Sequence, residues 1–191
     1  MRIIAGEAKG RTLYAPQGSQ TRPTSDKLRG SLFNILGPRV EGARVLDLFG
    51  GTGALALEAL SRGAAFAVIA DNARAAVQAA ERNARAVLGE AFDARVRVVK
   101  ADYRSAIAGL SGAPFDLVFL DPPYRMVDAY GDALGRLDAA CMLSEDCLAV
   151  LERQKAAEAP LPDGFECIDS RLYGDTAVDF VRRRQGSFPR L

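Results

Sequence analysis

The sequence predicts an α/β fold: a mostly parallel seven-stranded sheet with helices on both faces, preceded by an N-terminal β-hairpin and helix. Three observations carry this. From residue 44 onward, short apolar runs alternate with segments of helical periodicity, the pattern of repeated βαβ units. The runs are nearly continuous in apolar residues, as in Phe115-Asp116-Leu117-Val118-Phe119-Leu120, so strands covered on both faces are expected. The last two runs flank Tyr173-Gly174-Asp175, a turn that makes them a hairpin and closes the sheet with an antiparallel edge.

Residues 1–40 read as a basic extension and residues 41–191 as the main domain. Met1 to Pro16 alternates weakly around Gly6-Glu7-Ala8-Lys9-Gly10, a β-hairpin with Arg2, Lys9 and Arg11 on its rim. Residues 17–23 form a turn-rich linker. Thr24 or Ser25 can cap a helix to about Leu36, with Leu28, Leu32, Ile35 and Leu36 on one face and Lys27 and Arg29 on the other. Gly37-Pro38 ends it. The main domain then alternates strand 44–49, helix 54–62, strand 66–70, helix 73–88, strand 95–100, helix 103–110, strand 115–120, helix 128–140 and strand 147–152. The hairpin strands, 165–172 and 176–183, complete it.

Composition narrows the chemistry. With 191 residues, 49% hydrophobic and 26% charged, the chain can build one domain with a large core. No apolar run approaches the ~20 residues that span a bilayer, and the N-terminus lacks the apolar segment of a secretory leader. A cytoplasmic monomer is expected. Cys141, Cys147 and Cys167 show no C-x-x-C spacing, which points to reduced, buried thiols rather than a disulfide framework or a metal site. The chain contains no histidine, which removes His bases, His-based triads and zincin-type sites. Charge is uneven: residues 1–40 hold seven Lys/Arg against two acids, and residues 171–191 hold five against two. Basic ends around an acidic body suggest that both termini lie near a polyanion.

Ligands of open α/β sheets bind beyond the carboxyl ends of the strands. Four such ends carry an acid: Asp47, Asp71, Asp102 and Asp121. In the loop after the first strand, Gly51, Gly53 and Ala56 fit G-x-G-x-x-A, and Asp71 lies 20 residues beyond Gly51, where an acid meets ribose hydroxyls. This much suits a nicotinamide dinucleotide or S-adenosylmethionine. Three features favour the second. Asp47 precedes the loop, where a carboxylate attracts a cationic amino-acid moiety and repels a pyrophosphate. Asp102 followed by Tyr103 offers an acceptor for an adenine amine beside an aromatic face. A dehydrogenase reading leaves Asp121-Pro122-Pro123-Tyr124 unexplained and has no histidine acid or base.

That corner suits transfer of a methyl group to an exocyclic amine of a nucleobase. The amine lone pair is delocalised into the ring, and the nitrogen gains positive charge as it attacks. Acceptors fixed toward its N–H groups stabilise that change. The Asp121 carboxylate and the Pro122 carbonyl can supply one each, and Tyr124 can stack on the base, a contact worth ~1–3 kcal/mol. The base must be unpaired or flipped out. Methylation at a ring carbon is disfavoured, since it needs an activated cysteine and none of the three has a Pro-Cys setting.

These residues resemble a known family. Asp47-Leu48-Phe49-x-Gly51-x-Gly53-Ala54-Leu55 with Asp121-Pro122-Pro123-Tyr124 is similar to the amino-methyltransferases of nucleic acids. Met1-Arg2-Ile3-Ile4-Ala5-Gly6, Lys9-Gly10-Arg11, Arg22-Pro23-Thr24-Ser25-Asp26, Leu32-Phe33-Asn34 and Tyr173-Gly174-Asp175-Thr176 resemble the bacterial 16S rRNA guanine-N2 methyltransferases of the RsmD type. The resemblance implies a Rossmann-like class I methyltransferase fold, S-adenosylmethionine as donor, and N2 of one guanine in the 16S rRNA of the assembled or assembling small ribosomal subunit as acceptor. It implies Asp121, Pro122 and Tyr124 as catalytic residues, and Asp47, Phe49, Gly51, Gly53, Asp71, Asp102 and Tyr103 as cofactor contacts. Lys9, Arg11, Arg22, Thr24, Lys27 and Arg29 are the candidate RNA contacts, joined by Arg182–Arg184 on charge. Two positions depart from the family pattern: Ala8 stands where an aromatic is frequent, and Gly30 where an acid is common. Rival readings are the same chemistry on adenine N6 or cytosine N4, or an inactive cofactor-binding module of ribosome assembly.

Overall fold

The computed structural model describes residues 1–16 and 26–184. Helix α1 (Asp26–Leu36) buries Leu28, Arg29, Leu32, Phe33 and Leu36, then tightens into a 3₁₀ turn at Gly37–Val40. The buried set repeats at four-residue spacing in two adjacent rows, which rotates the inner face away from Ile35. Ile35, expected inside, is 41% exposed, and Arg29, expected outside, is fully buried. The elements that follow are β1 (Arg44–Asp47), α2 (Ala54–Ser61), β2 (Phe66–Asp71), α3 (Arg74–Leu88), the single turn α4 (Phe92–Arg95) and β3 (Val96–Lys100). Then come α5 (Tyr103–Ala108), β4 (Phe115–Leu120), α6 (Ala129–Ala139), β5 (Leu143–Gln154), β6 (Phe165–Tyr173) and β7 (Thr176–Arg183). β5 is the one strand whose extent differs widely from expectation. It begins at Leu143, because Phe115 already pairs with Leu143 ahead of an irregularity in the β4–β5 register.

The strands form one sheet in the order β3-β2-β1-β4-β5-β7-β6. β7 is antiparallel to both neighbours and the remaining pairs are parallel, so the sheet is mixed. The closing hairpin is present, with its second strand on the inside and β6 at the edge. Winding runs from β1 outward to β3 and, in the other direction, from β4 to β5. The reversal between β1 and β4 opens a crevice at their carboxyl ends, the usual ligand site of such sheets.

Strand alternation assigns the two faces. Val45, Ile69, Leu117, Phe119 and Val150 face the layer of α1, α2, α3 and the N-terminal segment. Leu46, Val68, Val118, Leu120 and Leu151 face α5 and α6. The extension shares this core, since Ile3, Leu13, Leu32 and Phe33 belong to the same cluster as the first set of strand residues.

The expected N-terminal hairpin is reduced to one bridge, Arg2 to Thr12, with flanking bonds from Ile3 N to Arg11 O (2.9 Å) and Leu13 N to Met1 O (3.1 Å). Within the tip, Gly10 N donates to Ile3 O (2.9 Å), Lys9 N to Gly6 O (3.2 Å) and Arg11 N to Ala8 O (3.1 Å), and the tip also bonds to α2. Ile4 N and Ala5 N donate to the Glu58 carboxylate at 2.7 and 3.1 Å, and Glu7 N to Ser61 O at 2.8 Å. Gly6, at φ +81°, lies so close that a Cβ would stand 1.8 Å from the Ser61 carbonyl oxygen. Thr24 and Ser25, proposed as helix caps, and the linker before them lie outside the described residues, as does Arg22. Two cysteines correct the sequence reading: Cys141 and Cys167 are exposed, and only Cys147 is buried, its thiol pushed up to about 12 by burial. No helix among the described residues is long and apolar enough to cross a membrane.

Candidate active site at the carboxyl edge of the sheet

The crevice is built first by the loop after β1. Gly50 N donates to Ala70 O at 3.0 Å and Gly51 N to Asp71 Oδ2 at 3.0 Å, so the loop is tied to the end of β2. Asp71 accepts a second bond, from Ala73 N at 2.8 Å, at the start of α3. Gly51 and Gly53 have φ of +53° and +79°, which a residue with a side chain rarely adopts. Gly50 is required for space, since a Cβ there would lie 2.4 Å from Ile69 Cγ2. Around Gly51 such a Cβ meets nothing within 4 Å, so the loop backbone faces open space at that point. Asn83, buried on α3, donates to Thr52 O (3.0 Å) and Tyr14 O (2.9 Å) and accepts from Tyr14 N (2.7 Å). It holds the glycine loop against the end of the N-terminal segment.

Asp47 lies beneath this loop and is 2% exposed. Burial pushes its carboxyl up to about 7 and the charge of Asp71 adds to this, while backbone N–H groups of Ala56 and Phe49 oppose the rise. A cationic ligand group placed there would return the ionised form.

Asp102 caps α5, accepting from Arg104 N (3.0 Å), Ser105 N (3.2 Å) and Ser105 Oγ (2.6 Å), and these bonds hold its exposed carboxyl below the ordinary range. Tyr103 differs from expectation. Its ring is 7% exposed, packs 5.5 Å from Phe49, and its hydroxyl donates to Asp132 Oδ2 at 2.7 Å. Arg104 and Arg136 converge on the same carboxylate at 2.8 and 3.0 Å and hold Asp132 well below the usual range. Tyr103 therefore backs the site, and the half-buried Phe49 offers the accessible ring.

Across the switch point, β4 ends at Leu120 and the Asp-Pro-Pro-Tyr corner begins. Pro122 is buried and Tyr124 is 41% exposed. Burial pushes the Asp121 carboxyl well above the ordinary range, with the charges of Glu152 and Asp47 adding to it. Asp47, Asp71 and Asp121 thus gather at one edge of the sheet.

Glu152 was missed in the sequence. Leu120 pairs with Leu151 across the parallel β4–β5 ladder, so the next residues of the two strands, Asp121 and Glu152, stand side by side. The signal was present, because the predicted strand 147–152 itself ended on this acid. Behind it, Tyr130 of α6 donates to Glu152 O at 2.6 Å.

The basic residues are dispersed. Lys27 is exposed on the first turn of α1, and Lys9 and Arg11 are exposed on the N-terminal segment. Lys9 belongs to the tip that docks on Ser61, at the end of α2 remote from Gly53. Arg29, a candidate RNA contact, is corrected by the structure. It is fully buried, donates to Arg2 O and to Asp26 Oδ1 (3.0 Å), and lies 3.6 Å from Glu58. Arg182 and Arg183 sit where β7 passes the start of β5, at the edge opposite the crevice, and pair with Glu166 (2.9 Å) and Asp138 (2.5 Å). Lys9 and the C-terminal arginines thus both lie away from the crevice, and the arginines are engaged in ion pairs. Arg22 and Thr24 lie outside the described residues.

A family model described as "Conserved hypothetical protein 95" matches residues 1–182. The chain belongs to this family, the RsmD-type methyltransferases. It is 34% identical to Ribosomal RNA small subunit methyltransferase D of Escherichia coli K12 over 184 residues, covering 96% of this chain and 90% of that one. It is 36% identical to Bacillus subtilis YlbH, provisionally named an rRNA methyltransferase, over 96% of this chain and all of that one. A solved Escherichia coli protein, yhhF, provisionally named a methyltransferase, superposes with a TM-score of 0.83 at 30% identity over 97% of this chain and 99% of that one. The fold is the Rossmann-like fold of the class I methyltransferases.

Proposed function

We propose that this protein transfers a methyl group from S-adenosylmethionine to the exocyclic N2 amine of one guanine in the 16S rRNA of the assembled or assembling small subunit. The observation that carries the reading is the meeting of two loops at the switch point: the glycine loop over Asp47, and the Asp121-Pro122-Pro123-Tyr124 corner beside it. The open backbone at Gly51, the buried carboxyl of Asp47 and the strand-end acid Asp71 fit a nucleoside bearing a cationic amino-acid tail. When bound, the donor supplies a methyl on a positively charged sulfur, so the new N–C bond forms as the C–S bond breaks toward sulfur.

The protein's own residues do the rest. Asp47 attracts the amino-acid cation, Asp71 accepts from ribose hydroxyls, and Phe49 and Asp102 border the adenine. Asp121 and the Pro122 carbonyl each accept one N–H of the guanine amine as it becomes cationic. Tyr124, 41% exposed, stacks on the flipped base. The amine then loses one proton, to Asp121 or to water, and its raised affinity for protons suits Asp121 to that step. Lys27, with Arg22 and Thr24 nearby in the chain, contacts RNA at the mouth, and Lys9 and Arg11 extend that contact along the N-terminal segment.

Labelled methyl transfer to small subunits from cells lacking the modification, followed by nucleoside analysis, tests this. N2-methylguanosine in the 16S rRNA is the expected product. N6-methyladenosine or N4-methylcytidine, or no transfer at all, contradicts the proposal.

A further inference from the structure

Asn83 of α3 fixes how the N-terminal segment meets the glycine loop. Its buried side chain accepts from Tyr14 N at 2.7 Å and donates to Tyr14 O at 2.9 Å and to Thr52 O at 3.0 Å. One amide thus grips the N–H and the carbonyl of a single residue together with the glycine loop. Strand alternation does the rest: Leu13 turns into the core, so Tyr14 turns outward and is 44% exposed. A lone exposed aromatic is ordinary on a protein surface. This one differs in that its main chain is held on both sides, so the ring departs from a fixed point.

The ring is braced as well. The Arg82 guanidinium lies over it, 4.2 Å from the centroid, a cation–π contact that steadies its orientation. Arg82 belongs to α3, which starts at the crevice. Arg74 opens that helix three residues after Asp71, and Arg82 follows eight residues later, about 12 Å along the axis. Arg74, Arg82 and Arg85 are all exposed, and Glu81 is the one acid of this helix. An aromatic face backed by a guanidinium, on a helix of net positive charge, suits one class of ligand. A nucleobase stacks on such a face while its phosphate is drawn to the arginines. An apolar protein surface would desolvate these charges without pairing them, and a cationic donor would be repelled by them.

We infer that Tyr14, braced by Arg82, stacks a second unpaired base of the rRNA, one other than the guanine that enters the Asp121 corner, and so helps to seat the strand that carries the target. This rests on the rRNA reading above. It makes Asn83 a positioning residue: by tying Tyr14 to Thr52, it sets the place of the RNA support relative to the glycine loop.

The test is methyl transfer to unmodified small subunits at saturating donor, with wild type beside Tyr14→Ala, Tyr14→Leu and Tyr14→Phe. Donor affinity is measured by calorimetry on the same preparations. Asn83 grips the main chain of residue 14, so every variant keeps the clamp. Tyr14→Ala and Tyr14→Leu are expected to raise KM for small subunits about 5- to 100-fold, the loss of one base–aromatic stack. Their kcat and their dissociation constant for the donor are expected within about twofold of wild type, since the lost contact is made before and during the reaction alike. Tyr14→Phe keeps the ring and is expected to hold KM within about twofold of wild type. An unchanged KM in Tyr14→Ala overturns the inference. So does a wild-type KM in Tyr14→Leu, because any apolar side chain then suffices, or a loss in Tyr14→Phe equal to that in Tyr14→Ala, because the ring is then not what binds. A loss in kcat or donor affinity with KM unchanged makes Tyr14 a prop for the glycine loop and likewise overturns it. Absence of transfer by wild type is a different failure: the rRNA reading itself then falls, and this inference with it.

Discussion

Asp47 meets opposing demands. Its carboxyl is 2% exposed and pushed up to about 7, above the ordinary value of ~3.9. A raised value means that the folded protein holds this proton more tightly than the unfolded chain. The stabilising effect is fully present only below about pH 4 and is lost progressively as pH climbs from there through about 7, a total cost on the order of 4 kcal/mol. Asp47→Asn should therefore raise the melting temperature at pH 8 more than at pH 5, while weakening S-adenosylmethionine binding at least tenfold by calorimetry. A variant that gains no stability at pH 8 argues that the site is less desolvated than its burial implies. Asp121 gives a second pH dependence. It must be ionised to accept an N–H, and its carboxyl is raised by burial and by Glu152 and Asp47. The acid limb of kcat/KM is thus expected well above pH 4, with activity rising as pH increases through it. A limb at pH 4 or below contradicts the raised value. The strand-end acids were legible in the sequence as an unusual succession. Their burial was not, because exposure depends on which face of each strand is covered.

At the scale of elements, α1 shows how a helix face is misjudged. Lys27 and Arg29 are both basic and two residues apart, which suggests a common outward face. The structure separates them: Lys27 is exposed, while Arg29 takes an inward position because Glu58 of α2 and the carbonyl of Arg2 wait there. No local periodicity could reveal an acid 29 residues away in the chain. Glu58 in turn accepts from Ile4 N, Ala5 N and Arg62, so this cluster fastens the extension to the main domain. Arg29→Ala leaves a buried carboxylate with one partner fewer and should cost about 3–5 kcal/mol in denaturant unfolding. Lys27→Ala should change stability by less than ~0.5 kcal/mol. Equal effects on stability would place Arg29 on the surface after all. The N-terminal hairpin pairs over only a short stretch for a similar reason: Ile3, Gly10 and Leu13 N–H groups bond across it, whereas those of Ile4, Ala5, Glu7 and Ala8 bond to α2. By contrast, β4 was legible to the residue, since an apolar run stopped by Pro122-Pro123 leaves its end no freedom.

Across the whole molecule, the alternation of strands and helices fixed the fold class, and the position of the site followed from the winding reversal between β1 and β4. Net charge by segment was less informative, because it carries no direction. The C-terminal arginines fall at the far edge of the sheet and pair with Glu166 and Asp138. RNA affinity should accordingly fall linearly on a log–log plot against salt, and Lys27→Ala should reduce the slope by ~0.7–0.9, whereas Arg182→Ala should leave it unchanged. The reverse pattern would move the RNA to the opposite edge. The central claim is that a donor held by the glycine loop and an amine held by the Asp121 corner meet at the switch point. Asp121→Ala tests it most directly, with methyl transfer to unmodified small subunits and S-adenosylmethionine binding measured on the same preparation. The expected result is a loss of at least about 100-fold in turnover, in the range of a lost transition-state acceptor, with the dissociation constant of the donor within about twofold of wild type. Full turnover by Asp121→Ala would contradict the account.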